Sequence, residues 1–386
     1  MAEIINDKIR SIVARIEAAQ VISPETDILL AELLAEVKTN CSHPDIVARI
    51  AAYAEAPGQV LPVKMDSDGY APAFDVLTEE AEFVDFWQRN GIVVSKNVVS
   101  NAVRERAIAR VYELTGTMSN GACDLTKPET WQHMPVDAAG TPLLSRGFFE
   151  VYHDDTLAAL RQSIRIYLHY VLIWSRFDLW TTFDRIGVKL PGHGDAKGLP
   201  LHVDQNPKVH PNFRTVQGVL ALSDCPAERG TYVGIAGSKC MFHRYYTPKD
   251  EYVGEYVELD VRRPDALPLV DRAQLFPLRA GDLVSWDSRT THANSANLSN
   301  DTRIVAYIAA GLARESSPDA VREREAAFLT GLGSNVRDAY MHASMRPRFT
   351  NPETIARTRA AERLTLLGRL IYGKQSYGDI AAPAAS

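Results

Sequence analysis

Between Thr181 and Ala309 the chain breaks into short β-like runs, and this stretch limits the fold more than any other feature. The runs are Thr181–Leu190, Leu201–Asp204, Thr215–Leu222, Thr231–Ile235, Asp282–Trp286 and Thr302–Ala309. Turn residues separate them, and a glycine- and proline-rich loop, PGHGDAKGLP, fills 191–200. Many short strands divided in this way build a sandwich or a barrel, not a parallel sheet in which strands alternate with long helices.

Helical patterns lie on both sides of this stretch. Ile5, Ile9, Ile12, Val13 and Ile16 recur at helical spacing. Ser23-Pro24-Glu25 is a start signal, with a hydroxyl to cap, proline at the first helical position and an acid in the first turn. Leu29, Leu30, Leu33, Leu34 and Val37 continue that helix, and Pro44-Asp45 opens a third. A further helix starts at Thr78 and ends at Asn90-Gly91, where glycine supplies the left-handed cap. Ile92–Val94 reads as a strand, and 101–115, 155–175 and the arginine-rich segment after Ser316 read as helical. The expected organisation is a helical N-terminal extension and connector over 1–75, a mainly β, α+β core with supporting helices over 76–315, and a helical C-terminal region over 316–386 packed on that core.

Charge and composition exclude several functions. The chain of 386 residues carries a formal charge of −6, which does not suit general nucleic-acid binding. No run reaches the roughly eighteen apolar residues of a membrane span, and the start, MAEIINDKIR, lacks a signal-peptide core. Cys41, Cys123, Cys225 and Cys240 are scattered, which suits reduced thiols in a cytoplasmic protein and neither a zinc site nor a disulfide framework. A homo-oligomer is compatible with the sequence, which does not specify one.

The chemistry rests on two histidines and a carboxylate. His202-Val203-Asp204 lies in a strand-like run, where period-two geometry turns residues 202 and 204 to one face. A second triplet of the same type, His193-Gly194-Asp195, lies in the glycine-rich loop, where nothing holds its side chains together. The 202/204 pair is therefore preferred. His292 follows 90 residues after His202, between two strand-like runs, and Arg303 comes 11 residues after His292. On the strand Thr302–Ala309, Arg303 shares a face with Val305 and Tyr307. An inward arginine among apolar neighbours needs an anion. Two histidines and one carboxylate with open metal positions form the facial set of non-haem Fe(II) oxygenases. A guanidinium fork nearby suits the far carboxylate of 2-oxoglutarate.

These stretches resemble the phytanoyl-CoA dioxygenase-like family of Fe(II)/2-oxoglutarate oxygenases. The matching segments are FVDFWQRNGIVVSKNVVS, LPLHVDQ, ALSDCPAERGTYVGIAGSK and LRAGDLVSWDSRTTHANSANLSNDTR, within residues 78–312. One departure is Ala236, where the family often has proline before a glycine-serine turn. The resemblance implies a double-stranded β-helix (jelly-roll, cupin-like) barrel with flanking helices. It makes His202, Asp204 and His292 the iron ligands and Arg303 the reader of the far carboxylate of 2-oxoglutarate. It implies Fe(II) as the metal, with 2-oxoglutarate and O2 as co-substrates. The expected reaction is hydroxylation of an unactivated C–H bond of a small-molecule metabolite, with release of succinate and CO2.

Several other residues were weighed for the site. Lys189, on the strand before the metal loop, is a candidate for contact with the co-substrate, against the reading of a solvated strand-end lysine. Gln205 and Asn206 either border the pocket or shape a turn. Trp286 packs beside the iron or in the core. His210 and His243 have no evident partner, and Tyr245, Tyr246, Tyr252 and Tyr256 lie in a long connection that either covers the site or packs a loop. Two other functions compete with the oxygenase. One is a metal-dependent isomerase or lyase that does not use 2-oxoglutarate and has no need of Arg303. The other is a non-catalytic barrel serving as a binding or scaffold protein.

Overall fold

The short strands pair into antiparallel sheets that place the widely separated histidines side by side. A computed structural model describes all residues except 1, 20–21, 56–58, 138, 193–197, 214, 247–253, 335–363 and 381–386. In chain order the strands are β1 (Ile92–Ser95), β2 (Phe148–Phe149), β3 (Leu179–Thr181), β4 (Ile186–Lys189), β5 (His202–Val203), β6 (Val216–Ala221), β7 (Tyr232–Gly234), β8 (Val257–Glu258), β9 (Gln274–Phe276), β10 (Leu283–Asp287), β11 (His292–Asn294), β12 (Arg303–Tyr307) and β13 (Ala310–Leu312). One sheet has six strands in the order β1-β10-β6-β12-β4-β2, a second has five in the order β8-β5-β11-β7-β9, and β13 pairs with β3 in a third. The architecture is thus mixed α/β with antiparallel sheets, and among the described residues the strand pairings do not close into one continuous barrel.

The two larger sheets pack face to face. Val94 of β1, Val219 of β6, Val284 and Trp286 of β10 and Val305 of β12 meet Tyr232 of β7 and Phe276 of β9 in one buried apolar cluster. Gly187 of β4 lies where neighbouring strands pack closely, since a Cβ there would sit 2.8 Å from a methyl of Val305.

The expected helices form. The N-terminal ones are α1 (Asp7–Ala19), α2 (Pro24–Cys41) and α3 (Pro44–Glu55). Ser23 caps α2 by accepting from Thr26 N, with Pro24 following at the first position. The next helix, α4 (Glu80–Asn90), ends at Gly91, which has φ +62°; a Cβ there would crowd Thr290 and Lys239. These helices are not loose additions. Glu80 accepts from Ile4 N, Ile5 N and the Arg49 guanidinium, and the Tyr53 hydroxyl of α3 donates to Asp287 at the end of β10 at 2.7 Å. A single apolar cluster runs from Ile4 through the core helices to Ile380.

Two of the expected runs are each divided in the structure. The run Thr181–Leu190 is two strands, β3 and β4, because the Asp184 carboxylate turns back to accept from Arg185 N and interrupts the ladder. The helix expected over 155–175 is two, α5 being Asn101–Met118, α6 Asp155–Arg161 and α7 Ile164–Trp174, with a break at Gln162-Ser163. After Ser316 the described residues hold a helix at Pro318–Thr330, ended by Gly331 at φ +74°, and another at Leu366–Ile371. No described helix is long and apolar enough to cross a membrane.

Candidate metal centre

His202 of β5 and His292 of β11 are direct partners across an antiparallel ladder. Such partners project from the same face of the sheet, and the two rings lie 4.3 Å apart between centroids. Asp204 follows two residues after His202 and joins the same face. Its Oδ2 is 3.9 Å from His202 Nε2 and 3.6 Å from His292 Nε2. The candidate ligand atoms of the three residues all fall within 4.8 Å of one another, and among the described residues this is the one such group of three or more.

The imidazoles are held ready to coordinate. His202 Nδ1 lies 2.8 Å from the carbonyl of Pro200, and His292 Nδ1 lies 2.9 Å from that of Thr290. A carbonyl only accepts, so each Nδ1 carries a proton there, and each Nε2 is the nitrogen turned toward Asp204. Burial, reinforced by the neighbouring His292, pushes the His202 pKa down to about 4, so the ring is neutral. Burial works against ionisation of Asp204. The His292 and His202 rings and a 2.7 Å hydrogen bond from Gln217 Nε2 outweigh it and hold the carboxyl below the usual range. Two imidazoles and one carboxylate on a single face are a donor set that fits Fe(II).

A cavity of about 230 Å³ opens beside this group. Its wall includes Gln217, Trp286, Arg303, Tyr307, Arg185 and Tyr256. Arg303 shares the inner face of β12 with Val305 and Tyr307, is only 3 % exposed, and has an Nε with no hydrogen-bond partner. Among the described residues no carboxylate pairs with it, and its guanidinium is buried beside Cys225 and Tyr307. Its partner across the ladder is Lys189, also buried. Like charges placed directly opposite each other oppose strand pairing.

Lys189 itself does not line the cavity. Its ammonium donates to the Asn294 side chain and to the Ser295 carbonyl. Gln205 and Asn206 shape the loop after the metal triplet: Gln205 bridges His210, Asn212 and Ser288, and Asn206 binds Glu255 and Gly254. His210 pairs with Glu255 at 3.1 Å. Trp286 lies in the inter-sheet core with its ring 5.0 Å from His292. Tyr256 lies over His202 at 4.5 Å, whereas Tyr245 and Tyr246 pack in a separate cluster with Val203 and Ile235, and His243 rests against Phe242. His193, Asp195 and Tyr252 fall outside the described residues. The sequence reading missed Gln217, Arg185 and Phe148. Gln217 was marked only by being a polar side chain in the apolar run VQGVLA.

Residues 87–305, more than half of the chain, match the family model described as phytanoyl-CoA dioxygenase. Ava biosynthesis cluster protein O of Aspergillus versicolor is 25% identical over 237 residues, covering 58% of this chain and 75% of that protein. Among solved structures, a hypothetical protein of Escherichia coli superposes with a TM-score of 0.56 at 15% identity, over 95% of this chain and 98% of its own, a likeness of fold. The epimerase SnoN, solved in complex with Fe3+, alpha ketoglutarate and nogalamycin RO, has a TM-score of 0.43 at 20% identity, over 61% of this chain and 84% of its own.

Proposed function

Since the chain belongs to the phytanoyl-CoA dioxygenase family, whose members are oxygenases using iron and 2-oxoglutarate, we propose that it hydroxylates an unactivated C–H bond of a small-molecule metabolite. His202, Asp204 and His292 hold Fe(II), and Arg303 reads the far carboxylate of 2-oxoglutarate. The two larger sheets are the halves of a double-stranded β-helix spanning the core at 76–315, with the N- and C-terminal helices as additions to it. The enzyme works in the cytoplasm with free cysteines.

The observation that carries this reading is a buried guanidinium without an anion in the same cavity as a convergent His-Asp-His group. An isomerase or lyase working through the metal alone leaves that arginine without a purpose. When bound, iron and 2-oxoglutarate supply the oxidising power, and succinate and CO2 are released. The chain's own part is geometry. The Pro200 and Thr290 carbonyls fix the imidazole tautomers, and the Arg303 fork fixes one end of the co-substrate. Trp286 and Tyr256 exclude water beside the histidines. Lys189 acts at one remove, holding Asn294 at the cavity wall.

The test is an anaerobic titration of Fe(II) and 2-oxoglutarate that follows the metal-to-ligand charge-transfer band. The band is expected in the wild type and absent from His202→Ala, Asp204→Ala and His292→Ala. Under air, a metabolite library is expected to yield a compound that raises succinate release and gains one oxygen atom. Retention of the band in the folded His202→Ala and His292→Ala variants overturns the ligand assignment.

A further inference from the structure

The geometry points to Gln217 as a positioning residue for the metal-binding carboxylate, an inference that rests on the reading of Asp204 as a ligand. Gln217 stands on β6 in the six-stranded sheet, while Asp204 follows β5 in the five-stranded one. The 2.7 Å hydrogen bond from Gln217 Nε2 to Asp204 Oδ2 therefore crosses the cavity from one sheet to the other. The oxygen it reaches is the same one that faces both imidazoles. A carboxylate only accepts, so the amide must turn its NH2 toward Asp204 and its oxygen away.

What the other end of the amide does separates this residue from a structural glutamine. Gln217 is 7 % exposed, lines the cavity, and its Oε1 has no hydrogen-bond partner. Gln205, a few residues from the same group, shows the alternative. Its NH2 donates to the carbonyls of His210 and Asn212, and its oxygen accepts from Ser288, so both ends stitch loops together. Among the described residues the Gln217 carboxamide ties down no loop, and its one hydrogen bond goes to Asp204. Its neighbours on the inner face of β6, Val219 and Ala221, belong to the apolar cluster between the sheets. A side chain at 217 that only filled space would be apolar as they are. The polar group is there to keep the carboxylate from rotating away from the histidines.

The test uses Co(II) as the probe, titrated into metal-free protein and read by its visible absorption. Gln217→Met keeps the volume and removes the donor, and Gln217→Leu is the second variant should the first fail to fold. Losing an outer hydrogen bond to a metal-binding group typically weakens metal affinity by roughly 10–100-fold. That loss is expected in both variants, with altered Co(II) bands and a thermal midpoint close to wild type. Arg303→Ala is expected to leave Co(II) affinity unchanged. A folded Gln217 variant with wild-type affinity and wild-type bands overturns the inference. If Asp204→Ala also binds Co(II) as the wild type does, the ligand assignment itself has failed; if Asp204→Ala loses the metal and the Gln217 variants do not, only the role of Gln217 has.

Discussion

Two buried arginines in this chain live under opposite conditions. Arg324, on the helix Pro318–Thr330, is answered by the backbone: its Nε donates to the carbonyl of Tyr372, and one Nη donates to those of Thr181 and Ile371. It also packs 4.1 Å from the Phe183 ring, and burial pushes its pKa down to about 9. Arg303 is equally buried but lies beside Cys225, Tyr307 and the cavity, with no carboxylate paired to it among the described residues. A buried cation met by carbonyls binds the C-terminal segment to the core. One left facing an open space is the one we propose as the receptor of the co-substrate. Burial alone does not distinguish the two; the partner does.

The sharpest way to break this contrast is Arg303→Ala. Removing one partner of a buried charged pair typically costs about 3–5 kcal/mol, which corresponds to roughly a hundredfold to a few thousandfold weaker 2-oxoglutarate binding. Folding stability should change little, and Arg303→Lys should recover only part of the affinity, because the fork is lost. Isothermal titration of 2-oxoglutarate into the iron-loaded protein reads this directly, and unchanged affinity removes Arg303 from the receptor class. Arg324→Leu should do the reverse. It strands three buried carbonyls, and at about 1 kcal/mol or more for each the loss is about 3 kcal/mol in chemical denaturation. Co-substrate affinity of the folded protein should stay as it was. An affinity loss without a stability loss would dissolve the distinction.

The smallest effect concerns His153, which lies in the same seam as Arg324. Burial, then the Arg161 charge, push its pKa down to about 3. Its Nε2 meets the Leu332 carbonyl, and its Nδ1 is buried without a partner. Because the folded value lies below the ordinary one near 6.5, the stabilisation is complete above that pH and is lost as pH falls toward 3. At about 1.4 kcal/mol per pH unit, His153 should cost about 2 kcal/mol between pH 6.5 and pH 5. The difference in denaturation between wild type and His153→Gln at those two pH values isolates it. Equal slopes in the two proteins would show that His153 protonates freely.

Much of this was legible in the sequence, for identifiable reasons. The period of two brings Asp204 to the face of His202, and the cap signals at Ser23-Pro24 and Asn90-Gly91 set helix ends without help from the tertiary fold. Arg303 was readable because charge on an inner face is conspicuous. The partners of Lys189, Asn294 and Ser295, lie about a hundred residues away in the chain, so its hydrogen bonds could not be read from the sequence. The strand break at Asp184 was hidden because a side chain bonding to its neighbour's amide leaves the alternation on either side intact. Gln217 escaped notice because its meaning depends on a carboxylate from the opposite sheet.

The register that sets His292 opposite His202 also has a consequence in time. The two histidines are separated by 90 residues of chain, and contacts of such sequence separation form only after that long loop has closed. A growing polypeptide that has emerged as far as Asp204 carries two of the three candidate ligands but lacks the strand that supplies the third. The three candidate ligands therefore come together only once β11 has joined the sheet.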